Sequence, residues 1–352
     1  MLKKLFGSAY IRTVGFVQKH FAAISAAVVF CILTFVNHLD VVVDGVINLT
    51  RTLGINQMHM GIVDDAVVAI IAWFVYMFFT QIRPLKPRIM LTPEEVENSI
   101  DTGRVEVVLQ PVSHIRTNMV VGFESLVRLH HPVYGVVLPC EFLDGVLFER
   151  STVAYRLTQL VIEKTAEYYN AFAAAGYDFH MTVNLFASDL KQSDLQHLIK
   201  RFITSYDMPK ERLIVEISEN VIAQNVPEYM RVITSLGNSG VKVSLDDYGV
   251  HQVTSFTHVK DVGAAGVKLD QRLIRRLETS TANKDLIQTI IHGAHSLGTS
   301  VTAKHVETQR AKDILCELDC DYVQGYIVAP PMPFNQSREW IKTRKSRRIH
   351  KD

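Results

Sequence analysis

The chain has 352 residues, a formal net charge of +1 and 21% charged residues. This length allows roughly two domains. The near-neutral charge gives no bulk attraction to polyanions, so a nucleic-acid polymer is not expected as a partner. Four cysteines are present, without a CxxC pair or a His/Cys cluster, which argues against a zinc site.

Two apolar segments lie in the N-terminal quarter of the chain. Residues 21–36 and 66–79 carry no charged side chain, and neighbouring residues extend them to about 14–36 and 60–80, near the ~20 residues that cross a bilayer. Basic residues precede the first segment and follow the second, and only Arg51 lies between them. This pattern predicts two transmembrane helices with both ends in the cytoplasm. We therefore predict a membrane anchor over residues 1–88, with a short periplasmic loop and a linker at 81–88; buried core helices are the alternative.

The remainder of the chain alternates short β-branched runs with longer amphipathic stretches. Thr92 and Pro93 mark a helix start, as N-cap and first helical residue. The predicted strands are Val105–Val112, Val120–Leu129, His180–Leu185, Leu213–Ser218, Val241–Leu245, Gly266–Leu269, Ser300–Ala303 and Tyr322–Tyr326. The predicted helices between them include Tyr155–Ala175, Ser188–Ser205, Pro227–Ser239, Arg272–Leu297 and Thr308–Leu318.

This strand–helix alternation predicts an α/β fold, a single TIM-type (β/α) barrel over residues 89–341. An open doubly wound sheet is the alternative. The basic segment 342–352 is interpreted as a solvated tail. The alternative is a patch that contacts anionic lipid.

Polar side chains recur at or just after the predicted strand ends. They are Glu124, Asn184, Glu216, Asp246, Asp247, Lys268, Asp270, Glu307 and Gln324. The strand ends of a barrel converge on one face, so these residues are expected to meet. Carboxylate and amide oxygens suit Mg²⁺ or Mn²⁺, and adjacent aspartates suit a two-metal site. With a lysine to hold a phosphate, the set favours hydrolysis of a phosphodiester.

The same residues form an ordered set of motifs. Glu124-Ser125-Leu126-Val127-Arg128 resembles the E-A-L-x-R signature of the EAL domain family. The other matching motifs, in family order, are Leu109–Val112, Val183–Asn184, Glu216–Glu219, Asp246–Gly249, Lys268–Asp270, Val306–Thr308 and Gln324–Tyr326 followed by Pro331 and Pro333. The resemblance covers roughly residues 90–340.

The resemblance implies a modified (β/α) barrel, often dimeric, that uses Mg²⁺ or Mn²⁺ to linearise cyclic di-GMP to pGpG. It implies a first metal on Glu124, Asn184, Glu216 and Asp246, and a second on Asp246 and Asp247. It assigns Lys268 to the attacking water or phosphate, with Glu307 and Gln324 completing the catalytic group. It assigns Gln110, Leu126 and Arg128 to the dinucleotide. With the predicted anchor, it implies a multi-pass protein of the bacterial inner membrane whose N-terminus and EAL domain are cytoplasmic.

Two departures from the family pattern bear on activity. The family motif A-E-G-V-E reads Ala303-Lys304-His305-Val306-Glu307 here, so a lysine replaces a glutamate of the catalytic site, and the loop 248–254 is altered. A protonated lysine has no acceptor and cannot act as a base. The hypotheses are an active phosphodiesterase, a degenerate EAL domain that binds cyclic di-GMP with Lys304 in place of a metal cation, and a protein-interaction module that binds no ligand.

Overall fold

The computed structural model describes residues 91–139, 152–224, 226–249 and 256–349. The chain divides into two units, 1–88 and 89–352, and the fold below is that of the second.

The described residues form ten strands and ten α-helices. The strands are β1 Val105–His114, β2 Val120–His131, β3 Gly135–Val137, β4 His180–Leu185, β5 Leu213–Ser218, β6 Lys242–Tyr248, β7 Gly266–Leu269, β8 Ser300–Ala303, β9 Tyr322–Gln324 and β10 Met332–Pro333. The helices are α1 Pro93–Asp101, α2 Thr152–Ala174, α3 Leu195–Ser205, α4 Glu219–Ala223, α5 Pro227–Asn238, α6 Phe256–Asp261, α7 Gln271–Arg275, α8 Thr281–Ser296, α9 Gln309–Glu317 and α10 Phe334–Ile341.

Eight of the strands close into a barrel. The sheet order is β10-β1-β9-β8-β7-β6-β5-β4-β2-β3, and an additional β1–β2 pairing joins the ring. Strand β1 runs antiparallel to both neighbours, β2 and β9, whereas the strands from β2 through β4 to β9 pair in parallel. The predicted TIM-type barrel is therefore confirmed, in a modified form with one reversed strand, and the open doubly wound sheet is excluded.

The local sequence explains most element boundaries. Helix α1 begins as predicted, because the Thr92 hydroxyl accepts from the Glu95 backbone N–H and the Glu95 carboxylate accepts from the Thr92 N–H at 2.7 Å. The helix predicted over 272–297 is two helices, α7 and α8. The second starts at its own cap, where the Ser280 hydroxyl accepts from the Asn283 N–H at 3.3 Å.

The described residues contain no helix that is long and apolar enough to cross a membrane. The 23-residue α2 has the length, but it carries Arg156, Glu163, Lys164 and Glu167, and charged side chains are costly within a bilayer. This finding overturns the predicted localisation as a multi-pass inner-membrane protein. The two predicted spans, 14–36 and 60–80, lie outside the described residues.

The basic C-terminal segment lies against the barrel instead of extending into solvent as interpreted from the sequence. The Val120 N–H donates to the Lys345 carbonyl at 2.8 Å, and the Asp178 N–H donates to the Arg347 carbonyl at 3.1 Å. The Arg347 guanidinium donates to the Asp178 carboxylate at 3.1 Å, and Arg348 lies 3.8 Å from the Tyr177 ring centroid. Residues 343–349, the C-terminal strap, therefore bridge the N-terminal ends of β2 and β4.

Asp189 is a fully buried acid in the connection after β4. One carboxylate oxygen accepts from the Phe186 backbone N–H at 2.8 Å and from the Thr158 hydroxyl at 2.9 Å. The other oxygen is buried without a partner. Burial raises the pKa of Asp189 from 3.8 to about 6, because the charged form is poorly solvated there.

We expect Asp189→Asn to change the pH dependence of stability. Because the pKa is higher in the folded chain, the contribution of Asp189 to stability is fully present below pH 4 and is lost as pH rises through about 6. The amide keeps an acceptor for Phe186 and Thr158 without a charge, so the variant should gain about 2–3 kcal/mol over wild type at pH 7 and little at pH 4. Urea unfolding at both pH values measures this, with exposed Asp313→Asn as control. An equal effect at the two pH values would contradict the assignment.

Candidate functional site

A buried lysine joins two buried glutamates inside the barrel. The Lys268 ammonium, on β7, donates to Glu124 of β2 and to Glu216 of β5, both at 2.8 Å. All three side chains are at most 10% exposed. Strands β2, β5 and β7 alternate with β4 and β6 in the sheet, and inward-pointing side chains of alternate barrel strands stack in layers.

Three amides complete this cluster around Glu124. Asn184 donates to one oxygen of Glu124 at 2.9 Å, and Gln324 donates to the other at 2.6 Å. The same Gln324 amide donates to the Gln110 side-chain oxygen at 3.3 Å. Six predicted site residues therefore form one hydrogen-bonded group, and parallel pairing sets Asn184 directly beside Glu216.

The pKa values of the two glutamates shift in opposite directions because their partners differ. Burial alone raises the pKa of Glu124, but Lys268 and the two amide donors lower it to about 2. Burial raises the pKa of Glu216 well above its usual value, and the nearby charges of Glu124 and Asp246 add to the rise. Burial opposes the charge on Lys268, but the two glutamates outweigh it and raise the lysine pKa. The lysine–Glu124 pair is therefore the stable ion pair of the cluster.

A second lysine occupies the adjacent aspartates at the end of β6. The Lys304 ammonium, just after β8, donates to Asp246 at 2.7 Å and also to Asp247. The Lys304 side chain is 12% exposed. Burial lowers the pKa of Lys304, but the two aspartates raise it above the ordinary value. The ammonium therefore stays charged in this position.

A cleft opens beside both clusters. It encloses about 270 Å³, a little below the usual range for small-molecule sites. Leu126 and Arg128 line it because they follow Glu124 at every second position of β2, which places the three on one face. The other described lining residues are Gln110, Asp246, Lys304, His305, Glu307, Gln324, Gly325, Tyr326 and Pro331. The residues predicted to hold a dinucleotide therefore share one cavity with the divergent lysine.

A larger cavity, of about 580 Å³, lies at the ends of β4 and β5. Its described lining has small, apolar and amide side chains, including Ala187, Ser218 and Gln224, and no titratable group. Polar groups that converge on a cavity give it chemistry. The smaller cleft is therefore the candidate site despite its size.

The residues missed from the sequence are His305 and Tyr326, which also line the cleft. His305 has a backbone φ of 59°, a left-handed conformation in which glycine is usual, and the family motif has glycine at this position. Burial and the neighbouring Lys304 charge lower the His305 pKa. Tyr326 is 66% exposed, and its place in the Gln324–Tyr326 motif was the usable signal in the sequence.

The fold and site define a modified (β/α) barrel with a carboxylate-, lysine- and amide-lined centre. Residues 94–331 match the EAL domain, and the chain belongs to the EAL domain family.

Several relatives carry functional names. The signalling protein YkoW of Bacillus subtilis is 28% identical over 73% of this chain and 32% of its own length. The cyclic di-GMP phosphodiesterase PA2567 of Pseudomonas aeruginosa is 28% identical over 67% of this chain and 40% of its own length. The cyclic di-GMP phosphodiesterase PdeL of Escherichia coli is 24% identical over 72% of this chain and 69% of its own length. The chain thus spans less than half of the first two relatives.

Solved structures share the fold. The PaMucR phosphodiesterase in its c-di-GMP complex has a TM-score of 0.66 and 22% identity, over 69% of this chain and 98% of that chain. The FimX EAL domain of Pseudomonas aeruginosa bound to c-di-GMP has a TM-score of 0.61 and 19% identity, over 68% of this chain and 95% of that chain. At these identities the likeness establishes the barrel.

The predicted metal ligands do not form a metal site in this structure. EAL phosphodiesterases depend on divalent metals in general, but within the described residues no group of three or more His, Cys, Asp or Glu could hold an ion. Lys268 pairs with Glu124 and Glu216, and Lys304 pairs with Asp246 and Asp247. The donor chemistry of the carboxylates suits Mg²⁺ or Mn²⁺, but two ammonium groups already hold the carboxylates, and like charge repels a cation.

We expect Lys268→Met to destabilise the barrel by about 3–5 kcal/mol, because it leaves buried carboxylates without their cation. Urea unfolding at pH 7 measures the loss, and exposed Lys200→Met is the matched control. Adding Glu216→Gln should recover part of the loss, since it removes one unpaired acid. Equal stability of the Lys268 and Lys200 variants would contradict the ion-pair account.

Proposed function

We propose that this EAL domain binds cyclic di-GMP in the cleft between β1, β2, β8 and β9, as a receptor with impaired hydrolysis. The observation that carries the proposal is the shared cavity of Gln110, Leu126 and Arg128, the residues assigned to the dinucleotide by resemblance. The cleft is small, so the dinucleotide would lie partly in it and partly across its mouth.

The chemistry of the lining supports this ligand. The Arg128 guanidinium suits a phosphate, which it can contact through two parallel donors. Leu126 offers an apolar surface for a base, and the amides of Gln110 and Gln324 offer donors and acceptors for its edge. Relatives named as cyclic di-GMP phosphodiesterases and EAL structures bound to c-di-GMP support the choice of ligand. A homodimer stays a prediction of the resemblance.

Titration calorimetry of the full chain with cyclic di-GMP tests the binding. Arg128→Met should weaken it about 10- to 100-fold, as expected when a charged hydrogen bond to a phosphate is lost. Arg231→Met, an exposed arginine on α5, should leave the affinity unchanged. No measurable binding by wild type, with or without divalent cation, would remove the proposal.

Phosphodiester hydrolysis is the second candidate, favoured by the retained Glu124–Lys268–Glu216 arrangement. The donors for an Mg²⁺ or Mn²⁺ ion would be Glu124, Asn184, Glu216 and Asp246, but Asp246 is paired with Lys304. The lysine would have to leave that carboxylate before an ion could use it.

We therefore expect wild type to form no more pGpG than Glu124→Gln when each is incubated with cyclic di-GMP and Mn²⁺. Chromatography of the nucleotides at high protein concentration measures the product. Turnover well above the Glu124→Gln background would favour the phosphodiesterase over the receptor.

A further inference from the structure

The position of Lys304 is the chemical anomaly of the site. Its ammonium lies between the carboxylates of Asp246 and Asp247, the pair that the family resemblance assigns to a second metal ion. A group with a fixed positive charge thus replaces a carboxylate and also sits against the remaining ligands. The positive charge at this position is therefore part of the protein chain, where the family resemblance places a bound metal ion.

We propose that Lys304 is a tethered cation that replaces a divalent metal ion, so that the cleft binds cyclic di-GMP without added metal. The inference rests on the proposed ligand of the cleft. In this proposal the Lys304 ammonium supplies the charge that anchors the dinucleotide phosphate. Binding is then independent of the metal supply.

The Lys304 ammonium has one N–H donor beyond the two that its aspartate partners accept. An ammonium has three N–H donors, and the hydrogen bonds of Lys304 in the described part of the chain go to two acceptors, Asp246 and Asp247. Lys304 and Asp246 both line the cleft. The proposal gives the third donor to a phosphate oxygen, in a charge-assisted hydrogen bond.

The surrounding charges hold the ammonium in place. Asp270 lies at the end of β7, and its charge interacts with Lys304. It is itself bound by Arg272, whose guanidinium donates to it at 2.9 Å and also interacts with the charge of Asp247. The two cations, Lys304 and Arg272, therefore offset two of the three negative charges of Asp246, Asp247 and Asp270.

The backbone on both sides of the ion pair is also constrained. Asp247 has φ of 55° and His305 has φ of 59°, a left-handed conformation that residues with a Cβ rarely adopt. Asp247 follows Asp246 and His305 follows Lys304, so the backbone beside each partner of the ion pair is kept in this conformation by its surroundings. Preorganisation of this kind reduces the entropy lost when a ligand binds.

Calorimetry of the full chain with cyclic di-GMP, in EDTA and in MnCl₂, tests the tethered cation. Wild type should bind equally well in both. Lys304→Met should bind about 10- to 100-fold more weakly in EDTA, because a charged donor is lost. Lys304→Glu should bind only in MnCl₂, because it restores an acidic ligand beside the two aspartates. Lys200→Met and Lys200→Glu make the same charge changes at an exposed position and should behave as wild type.

The outcomes separate this inference from the proposed function. Wild-type binding that requires MnCl₂ overturns the tethered cation and leaves the ligand assignment standing. Unchanged affinity of Lys304→Met in EDTA also overturns it, and this variant decides the matter if circular dichroism shows that Lys304→Glu does not fold. Absence of wild-type binding under either condition overturns the proposed function itself.

Discussion

Charge pairing inside the barrel is the constraint on which the site depends. Two glutamates from strands distant in sequence are buried at one level of the barrel, and buried carboxylates are costly unless they are paired. Lys268 supplies that pair. The Gln324 amide donates to the same oxygen of Glu124, and the Asn184 amide donates to the other. The barrel must close with β1, β2 and β9 in register for these groups to meet.

The two lysines divide the site into regions with different roles. Lys268 lies deep and ties β2, β5 and β7 together, so its first effect is on the stability of the barrel. Lys304 lies at the cleft wall, where its contacts are open to a ligand. A chain can therefore keep the deep group, which the fold needs, while the shallow group changes the chemistry. This separation is how a recognisable family signature would accompany the receptor function proposed above.

Sequence patterns predicted the strands well because each is a short β-branched run, and four of them have the predicted bounds. Strand direction was not predictable in the same way, because the reversal of β1 depends on its pairing with β2 and β9. The order of the motifs correctly indicated that Glu124, Glu216 and Lys268 would lie together. The motifs did not reveal that Lys304 pairs with both aspartates, because motif spacing gives position along the chain and not the direction of a side chain.

The C-terminal strap has a consequence for how the chain acquires its structure. Arg347 reaches Asp178 across 169 residues of sequence, and the strap also bonds to Val120 at the start of β2. Contacts of such separation slow folding, since the intervening chain must be ordered first. During synthesis the backbone N–H groups of Val120 and Asp178 lack these partners until residues 345–347 have left the ribosome. A chain stalled before residue 343 therefore leaves the N-terminal ends of β2 and β4 without these hydrogen bonds, and unpaired strand groups of this kind are targets for chaperones.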